Sequence, residues 1–360
     1  MLQFNFGEYT TRVFISREIP GLDKIAADVD PQPDSSELKS NLFFICDENT
    51  GYIADKICGS FIAPRCVLKS GEESKTWDSV ELILEAARKA SCGRDSYFIG
   101  VGGGVIGDLA GFAASIYMRG CRFMIVSTTL LGMTDASVGG KTGFNLSGIK
   151  NLAGSFYPAR NVYMPLECLS TLPEKELKSG FAEMIKTAIL DSDDFLEQLS
   201  IKNYLDHELP ADLIERAVTY KGAIVSEDFR ESGRRMLLNL GHTFAHALES
   251  AAGLGEISHG EAVAWGIARA CELGVMLGIT PAQRAEKIIK LIKSYGYIVS
   301  SPHPLVSDTE AFFNAIKSDK KKKNAKLTFI VPGTESAVPV TMETENDFKL
   351  LYKVLNVQKT

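Results

Sequence analysis

Residues 97–111 read Tyr97-Phe-Ile-Gly-Val-Gly102-Gly103-Gly104-Val-Ile-Gly107-Asp108-Leu-Ala-Gly111. The stretch opens as an apolar strand, turns on glycine and continues as a helix of small residues. Gly102, Gly104 and Gly107 satisfy G-x-G-x-x-G, a spacing in which the backbone amides opening a helix form a site for a pyrophosphate. It departs from the dinucleotide fingerprint in two respects. The turn follows a later strand than the first, and no acidic residue ends a strand about 20 positions on. Asp47 or Asn49 can contact a ribose instead, because Asp47-Glu-Asn49 falls at the carboxyl end of the strand Leu42-Phe-Phe-Ile-Cys46, where ligands of such sheets gather.

On either side of this stretch the first half of the chain alternates short β-rich runs with helical patterns. Cys66-Val-Leu-Lys69 and Phe123-Met-Ile-Val-Ser127 read as further strands, and an amphipathic helix runs from about Trp77 to Ala90. That alternation predicts a parallel sheet with crossover helices. From about Pro173 the apolar period becomes helical, through 174–190, 193–199, 209–228, 236–253, 259–277 and 281–295. Lys326-Leu-Thr-Phe-Ile-Val-Pro332 reads as a late strand and 345–356 as a terminal helix. The expectation is an α/β plus α protein: a Rossmann-like domain over residues 1–172 and a mainly helical domain over 173–360, divided near Leu172-Pro173.

With 360 residues, 45% hydrophobic and 23% charged, the chain is long enough for two domains with cores of their own. The formal net charge of -6 offers no general attraction for nucleic acid or anionic membrane. Seven cysteines, an odd and scattered set without a Cys-x-x-Cys pair, read as reduced thiols of a cytoplasmic protein. The opening MLQFNFGEYTTRVF lacks the basic-then-apolar pattern of an export signal, and no apolar run reaches about 18 residues.

Two segments carry chemistry beyond the glycine turn. Ser127-Thr128-Thr129 through Gly139-Gly140-Lys141-Thr142-Gly143-Phe-Asn145, followed by Lys150-Asn151, is dense in hydroxyls, glycines and lysines and can line an anion site. Asp135 within it would stay ionised beside those cations and could serve as a base or an orienting acceptor. Downstream, Phe181-Ala-Glu183-Met-Ile-Lys186, Asn239-Leu-Gly-His242-Thr-Phe-Ala-His246 and Ser258-His259-Gly-Glu261 bring imidazole and carboxylate donors from separate turns of backbone. Glu183, His242 and His259 can supply three ligands to a divalent metal and leave positions open, as catalytic rather than structural sites do. His242 and His246 share a helix face, but Thr243 stands where a His-Glu-x-x-His protease needs its glutamate, which excludes that class.

Taken together, GGGVIGDLAG, Tyr117-Met-Arg119-Gly120, TTLLGMTDASVGGKTG, TLPEKELKSGFAEMIK, Glu231-Ser-Gly-Arg-Arg235-Met-Leu-Leu-Asn239-Leu-Gly-His242, SHGEAVAWG and Ser318-Asp319-Lys320-Lys321 closely resemble 3-dehydroquinate synthases, in that family's order over about residues 40–332. The resemblance implies an active site in the cleft between the two domains. It implies a reaction on 3-deoxy-arabino-heptulosonate 7-phosphate, the second step of the shikimate pathway. A tightly held NAD oxidises the hydroxyl at carbon 5, phosphate leaves from carbon 7, the ketone is reduced again, and ring opening with an aldol closure gives 3-dehydroquinate.

Residue by residue, the resemblance places Asp47, Asn49, Glu72, Lys75, Gly103, Gly104, Asp108, Thr128, Thr129, Asp135, Lys141, Lys150 and Thr171 around NAD. Lys141, Lys150, Asn151, Lys186, Lys221, Arg235, Asn239 and His246 fall on substrate positions, with Lys321 or its neighbour Lys320. Asp135, Lys186, Glu231, Arg235 and His246 form the catalytic group, and the metal on Glu183, His242 and His259 is zinc or cobalt. Arg119 matches an arginine that reaches across a dimer interface, so a homodimer is expected. The loop Asn145-Leu-Ser-Gly-Ile-Lys150-Asn151 departs from the family's Asn-His-Pro-x-Gly-Lys-Asn, and Ser127 replaces a common proline. Other sugar-phosphate cyclases, metal-dependent polyol dehydrogenases and a non-catalytic NAD-binding protein are the competing readings.

Overall fold

The computed structural model describes the chain except residues 30–34, 207–208, 254, 307–308, 323–326 and 357–360. Two compact units emerge: Met1–Leu177 with Pro210–Arg230, and Lys178–Leu209 with Glu231–Thr360. Where the sequence places a single boundary near Leu172-Pro173, the units part at Leu177, and the helix Ala211–Glu227 belongs to the first of them. Its Gly222 lets it lie against the first strand, for a Cβ there would meet the Phe4 ring at 2.2 Å.

The first unit contains β1 (Leu2–Phe6), β2 (Tyr9–Ser16), β3 (Leu42–Asp47), β4 (Arg65–Leu68), β5 (Tyr97–Gly102), β6 (Arg122–Ser127), β7 (Lys141–Leu146), β8 (Ile149–Phe156) and β9 (Asn161–Pro165). Seven of these form one sheet in the order β1-β2-β9-β6-β5-β3-β4. β1 and β2 pair antiparallel and every other pair is parallel. β5 is buried along its whole length, as are the first five residues of β3, the burial expected of parallel strands covered on both faces. β4 lies on one side of β3 and β5 on the other. The carboxyl ends of β3 and β5 therefore flank the point where strand order reverses, which is where open α/β sheets take ligands.

The strands read from sequence are all present, as is the helix Trp77–Lys89, capped by the Thr76 hydroxyl accepting from the Ser79 amide. The hairpin of β7 and β8 is an addition. Its connection is the two residues Ser147 and Gly148 at φ 53° and 76°, the double left-handed geometry of the tight turn that matches strand twist.

The second unit is helical: Asp193–Ile201, His242–Ala252, His259–Met276, Ala282–Ser294, Thr309–Lys322 and Glu345–Val354, with the antiparallel pair β10 (Leu327–Pro332) and β11 (Ala337–Met342). The helix Glu174–Asp191 runs into it. The single helix expected over 236–253 is instead a 3-10 turn, Arg234–Asn239, and a helix beginning at His242. Gly241 makes the break at φ 78°, and a Cβ on it would meet the Ile267 amide nitrogen at 2.7 Å. Among the described residues no helix is long and apolar enough to cross a membrane.

The glycine turn is required by packing as much as by conformation. A Cβ on Gly102 would sit 2.7 Å from both Cβ and Cγ1 of Ile106, in the first turn of the helix Gly104–Ile116. Gly102→Ala should therefore lower stability by about 1–3 kcal/mol through overpacking. Gly21→Ala, with open space around it, should stay within about 0.5 kcal/mol. Urea unfolding of both variants measures the difference.

Candidate functional site

In the first unit, predicted ligand residues collect at the carboxyl ends of β3, β5 and β6. Asp47 closes β3 and accepts from the Asn49 amide at 2.9 Å and the Thr50 hydroxyl at 2.9 Å, a locally held carboxylate at the strand end. Gly103 caps the helix that follows β5, packed so close to Thr129 that a Cβ would lie 2.9 Å from its methyl. Thr128 follows β6 and its amide donates to Gly102 at 3.0 Å. A small cavity beside the helix start is lined by Gly104, Asp108, Ser137 and Lys141.

Next to these lies a polar network around the buried Lys75. Lys75, 5% exposed, donates to Asp108 at 2.5 Å and to the Asn151 side chain at 2.5 Å. Asn145 joins the rest: its amide group donates to Glu72 at 2.8 Å, its oxygen accepts from the Asn151 backbone at 2.9 Å, and its backbone amide donates to Lys75 at 2.8 Å. Burial works to lower Lys75, but the charges of Asp108 and Glu72 outweigh it and raise its pKa; burial also pushes the Asp108 carboxyl up, against the pull of Lys75. Asn145 has no assigned role in the sequence reading. Its place at the start of the altered loop is the signal that could have singled it out.

Lys221 is buried and donates to the Asp135 carboxylate at 2.8 Å and to its backbone carbonyl. Thr171 ends the turn Leu166–Thr171, its hydroxyl donating to Cys168. Lys141 and Lys150 are exposed. Arg119 is exposed too, at φ 69° directly after Met118 at φ 49°, two left-handed non-glycine residues in succession. Such geometry costs about 1–3 kcal/mol per residue and is found where surrounding structure or function imposes it.

In the second unit, Glu183, His242 and His259 converge, each offering a donor atom within 4.8 Å of the others. Glu183 has no exposure at all. Its Oε1 lies 3.6 Å from His242 Nε2 and 3.3 Å from His259 Nε2, and Lys186, 2% exposed, pairs with its other oxygen. Each position has a structural cause. His242 is the first residue of its helix because Gly241 breaks the chain there. His259 is also a first residue, held by Ser258, whose hydroxyl accepts from the Glu261 amide at 3.2 Å. Gly260 brings this helix end onto Ser179, where a Cβ would meet Ser179 Cα at 2.3 Å. Ser179 is one turn before Glu183 on the same helix face, so the contact delivers His259 to the carboxylate.

The ring orientations agree. His242 Nδ1 lies 3.2 Å from the Leu240 carbonyl and His259 Nδ1 3.5 Å from Glu249 Oε1, so both rings turn Nε2 inward. One carboxylate and two Nε2 donors fit a divalent metal of the zinc or cobalt type, with positions left open. Nearby, His246 is exposed with its ring 5.5 Å from that of His242. Asn239 donates to Glu231 at 2.7 Å, and Arg235 is 3% exposed. Lys320 and Lys321 fall in the helix Thr309–Lys322, but their side chains lie outside the described residues.

The fold is that of the sugar-phosphate cyclases. A solved 2-deoxy-scyllo-inosose synthase, complexed with carbaglucose-6-phosphate, NAD+ and Co2+, matches with a TM-score of 0.84 and 25% identity, covering 99% of this chain and 100% of its own. A 2-epi-5-epi-valiolone synthase from Streptomyces hygroscopicus, with NAD+ and Zn2+ bound, is alike in fold at a TM-score of 0.82 and 24% identity, covering 98% of each chain. Residues 65–179 match the family description 3-dehydroquinate synthase N-terminal, and residues 180–322 match 3-dehydroquinate synthase C-terminal. The 3-dehydroquinate synthase of Wolinella succinogenes is 42% identical over 267 residues, 74% of this chain and 76% of the relative. The chain belongs to the 3-dehydroquinate synthase family.

Burial works against a charge on His259, but its hydrogen bonds to Glu183 and Glu249 outweigh burial and lift its pKa to about 10. Burial holds His242 neutral, down to about 3. In the metal-free protein a raised His259 pKa contributes stability that is full below its unfolded value and lost as pH rises through about 10. A metal must displace that proton, so affinity for Co2+ should rise about tenfold per pH unit between pH 6 and 8. Competition titrations at pH 6, 7 and 8 test this, and a flat profile would contradict it.

Proposed function

We propose that this protein is a phosphate-eliminating cyclase, a carbon-oxygen lyase that converts 3-deoxy-arabino-heptulosonate 7-phosphate to 3-dehydroquinate and phosphate. The observation that carries the reading is the convergence of Glu183, His242 and His259 beside the buried Lys186, in a chain of this family. Glu183, His242 and His259 would hold zinc or cobalt. Asp47, Asn49, Glu72, Lys75, Gly103, Gly104, Asp108, Thr128, Thr129, Asp135 and Thr171, with Lys141 and Lys150, would hold NAD. The solved relative bound to NAD+, Co2+ and a sugar-phosphate analogue supports both cofactors. Bound there, the metal supplies a Lewis acid to a hydroxyl or carbonyl oxygen, and NAD a hydride acceptor that returns what it takes.

The chain's own groups have distinct tasks. Lys186, held against Glu183, keeps a cation at the ligand set and can donate to a substrate hydroxyl. His246, one turn from His242 and exposed, is placed to exchange a proton with substrate. Glu231 fixes the Asn239 amide so that its remaining N–H and its oxygen serve the sugar hydroxyls. Lys221 holds Asp135 as an acceptor. The fork of Arg235 suits the substrate carboxylate, whereas the lysines suit phosphate as point charges. We place the enzyme in the cytoplasm, which its seven free cysteines support. We also propose a homodimer in which Arg119 completes the partner's site, a role that would explain the left-handed turn presenting it.

Purified protein given substrate, zinc and NAD far below the substrate concentration should release phosphate in many turnovers, with no lasting rise in NADH absorbance. Stoichiometric NADH would mean a dehydrogenase, and no phosphate would reject the reaction. Mixed dimers of Arg119→Ala and His259→Ala should recover up to about half the wild-type activity per dimer, by counting intact sites of a two-fold assembly. No recovery in heterodimers shown to form would mean that each subunit's site is complete.

A further inference from the structure

The sequence motifs absorb Glu183, His242 and His259 but leave Glu249 without a task. It sits on the helix His242–Ala252, seven residues after His242, so His242, His246 and Glu249 fall at i, i+4 and i+7 on one helix face. Its side chain is 7% exposed, and its Oε1 lies 3.5 Å from His259 Nδ1. A carboxylate so buried needs a cationic or hydrogen-bonding reason to be there. The ring it meets is the one whose opposite nitrogen, Nε2, lies 3.3 Å from Glu183 Oε1.

We infer that Glu249 is a positioning residue for the metal: it holds His259 by Nδ1 and so presents Nε2 to the point shared with Glu183 and His242. The comparison with His242 sharpens this. That ring is turned the same way, but its Nδ1 partner is the backbone carbonyl of Leu240. The two imidazoles thus have unequal supports, one neutral and built into the fold, the other an anion on a side chain. The anion makes His259 the more basic of the two donors, and it brings a second negative charge to a centre meant for a dication. Glu249 also ties the helix that carries His242 to the first residue of the helix His259–Met276, so one contact fixes the spacing of both imidazoles.

The inference rests on the proposed metal site, and its test separates the two. Full-length wild type, Glu249→Gln, Glu249→Ala and His259→Ala are titrated with Co2+ alone against a chromophoric chelator, and the visible absorption of bound Co2+ is recorded. Loss of a partner that orients a metal-bound histidine typically weakens binding about 10–100-fold. Glu249→Gln should fall at the lower end, because it keeps the shape and loses the charge, and Glu249→Ala at the upper end. Both should bind one Co2+ with a shifted spectrum, a change that a purely structural ion pair would not produce. If Glu249→Gln binds Co2+ within twofold of wild type and with the same spectrum, Glu249 does not position the metal, although the site stands. If wild type binds no Co2+, or His259→Ala binds it equally well, the metal site and this inference fall together. Should Glu249→Ala fail to fold, Glu249→Gln decides alone.

Discussion

A carboxylate withdrawn completely from water must be compensated, and in this protein that carboxylate is Glu183. Leaving it ionised and alone would cost several kcal/mol, so the surroundings have to supply positive charge or donors. Lys186 provides part of this from the next turn of the same helix. His259, whose proton Glu183 and Glu249 hold, brings more of it, and both it and His242 reach the carboxylate only because two glycines let backbones meet: Gly241, which starts one helix at a left-handed residue against Ile267, and Gly260, which seats the other on Ser179. The second unit is thus arranged around one buried charge, and the helix starts, the Ser258 cap and the Glu249 contact follow from the need to surround it.

The first unit answers a different constraint, close approach of backbone to ligand. Parallel strands buried on both faces leave their carboxyl ends as the place where side chains of several strands can meet, and the order of β4, β3 and β5 opens that edge at the switch point. Glycines at the β5 turn keep bulk away from it. The polar network of Glu72, Lys75, Asp108, Asn145 and Asn151 is linked by hydrogen bonds and an ion pair that meet at the buried Lys75. Within the 145–151 loop, the tight Ser147-Gly148 turn supplies the bend that returns Asn151 to the network.

Much of this was legible in the residues themselves. β3 and β5 announced themselves as continuous apolar runs, and the helices of the second unit by their period, because burial imposes both patterns. The candidate metal donors were legible since Glu183 sits in an apolar helix where a charge needs a reason. What escaped had weaker signals. β8 is largely exposed, so its composition reads as loop, and β9 is five residues long with no alternation to mark it. The break at Gly241 is invisible to a 3.6-residue period, because it depends on where Ile267 lies in space. The placement of Ala211–Glu227 with the first unit depends likewise on Phe4, far away in sequence.

The central claim is that three side chains brought together by these helix starts form one catalytic metal site. Anomalous diffraction at the zinc edge, on crystals grown with zinc and NAD, tests it most directly. The account predicts a single strong peak about 2.0–2.2 Å from a Glu183 carboxylate oxygen and from Nε2 of both His242 and His259, with at least one position left to water or substrate. A peak held through Nδ1, closed by a fourth protein ligand, or absent from these residues would contradict it.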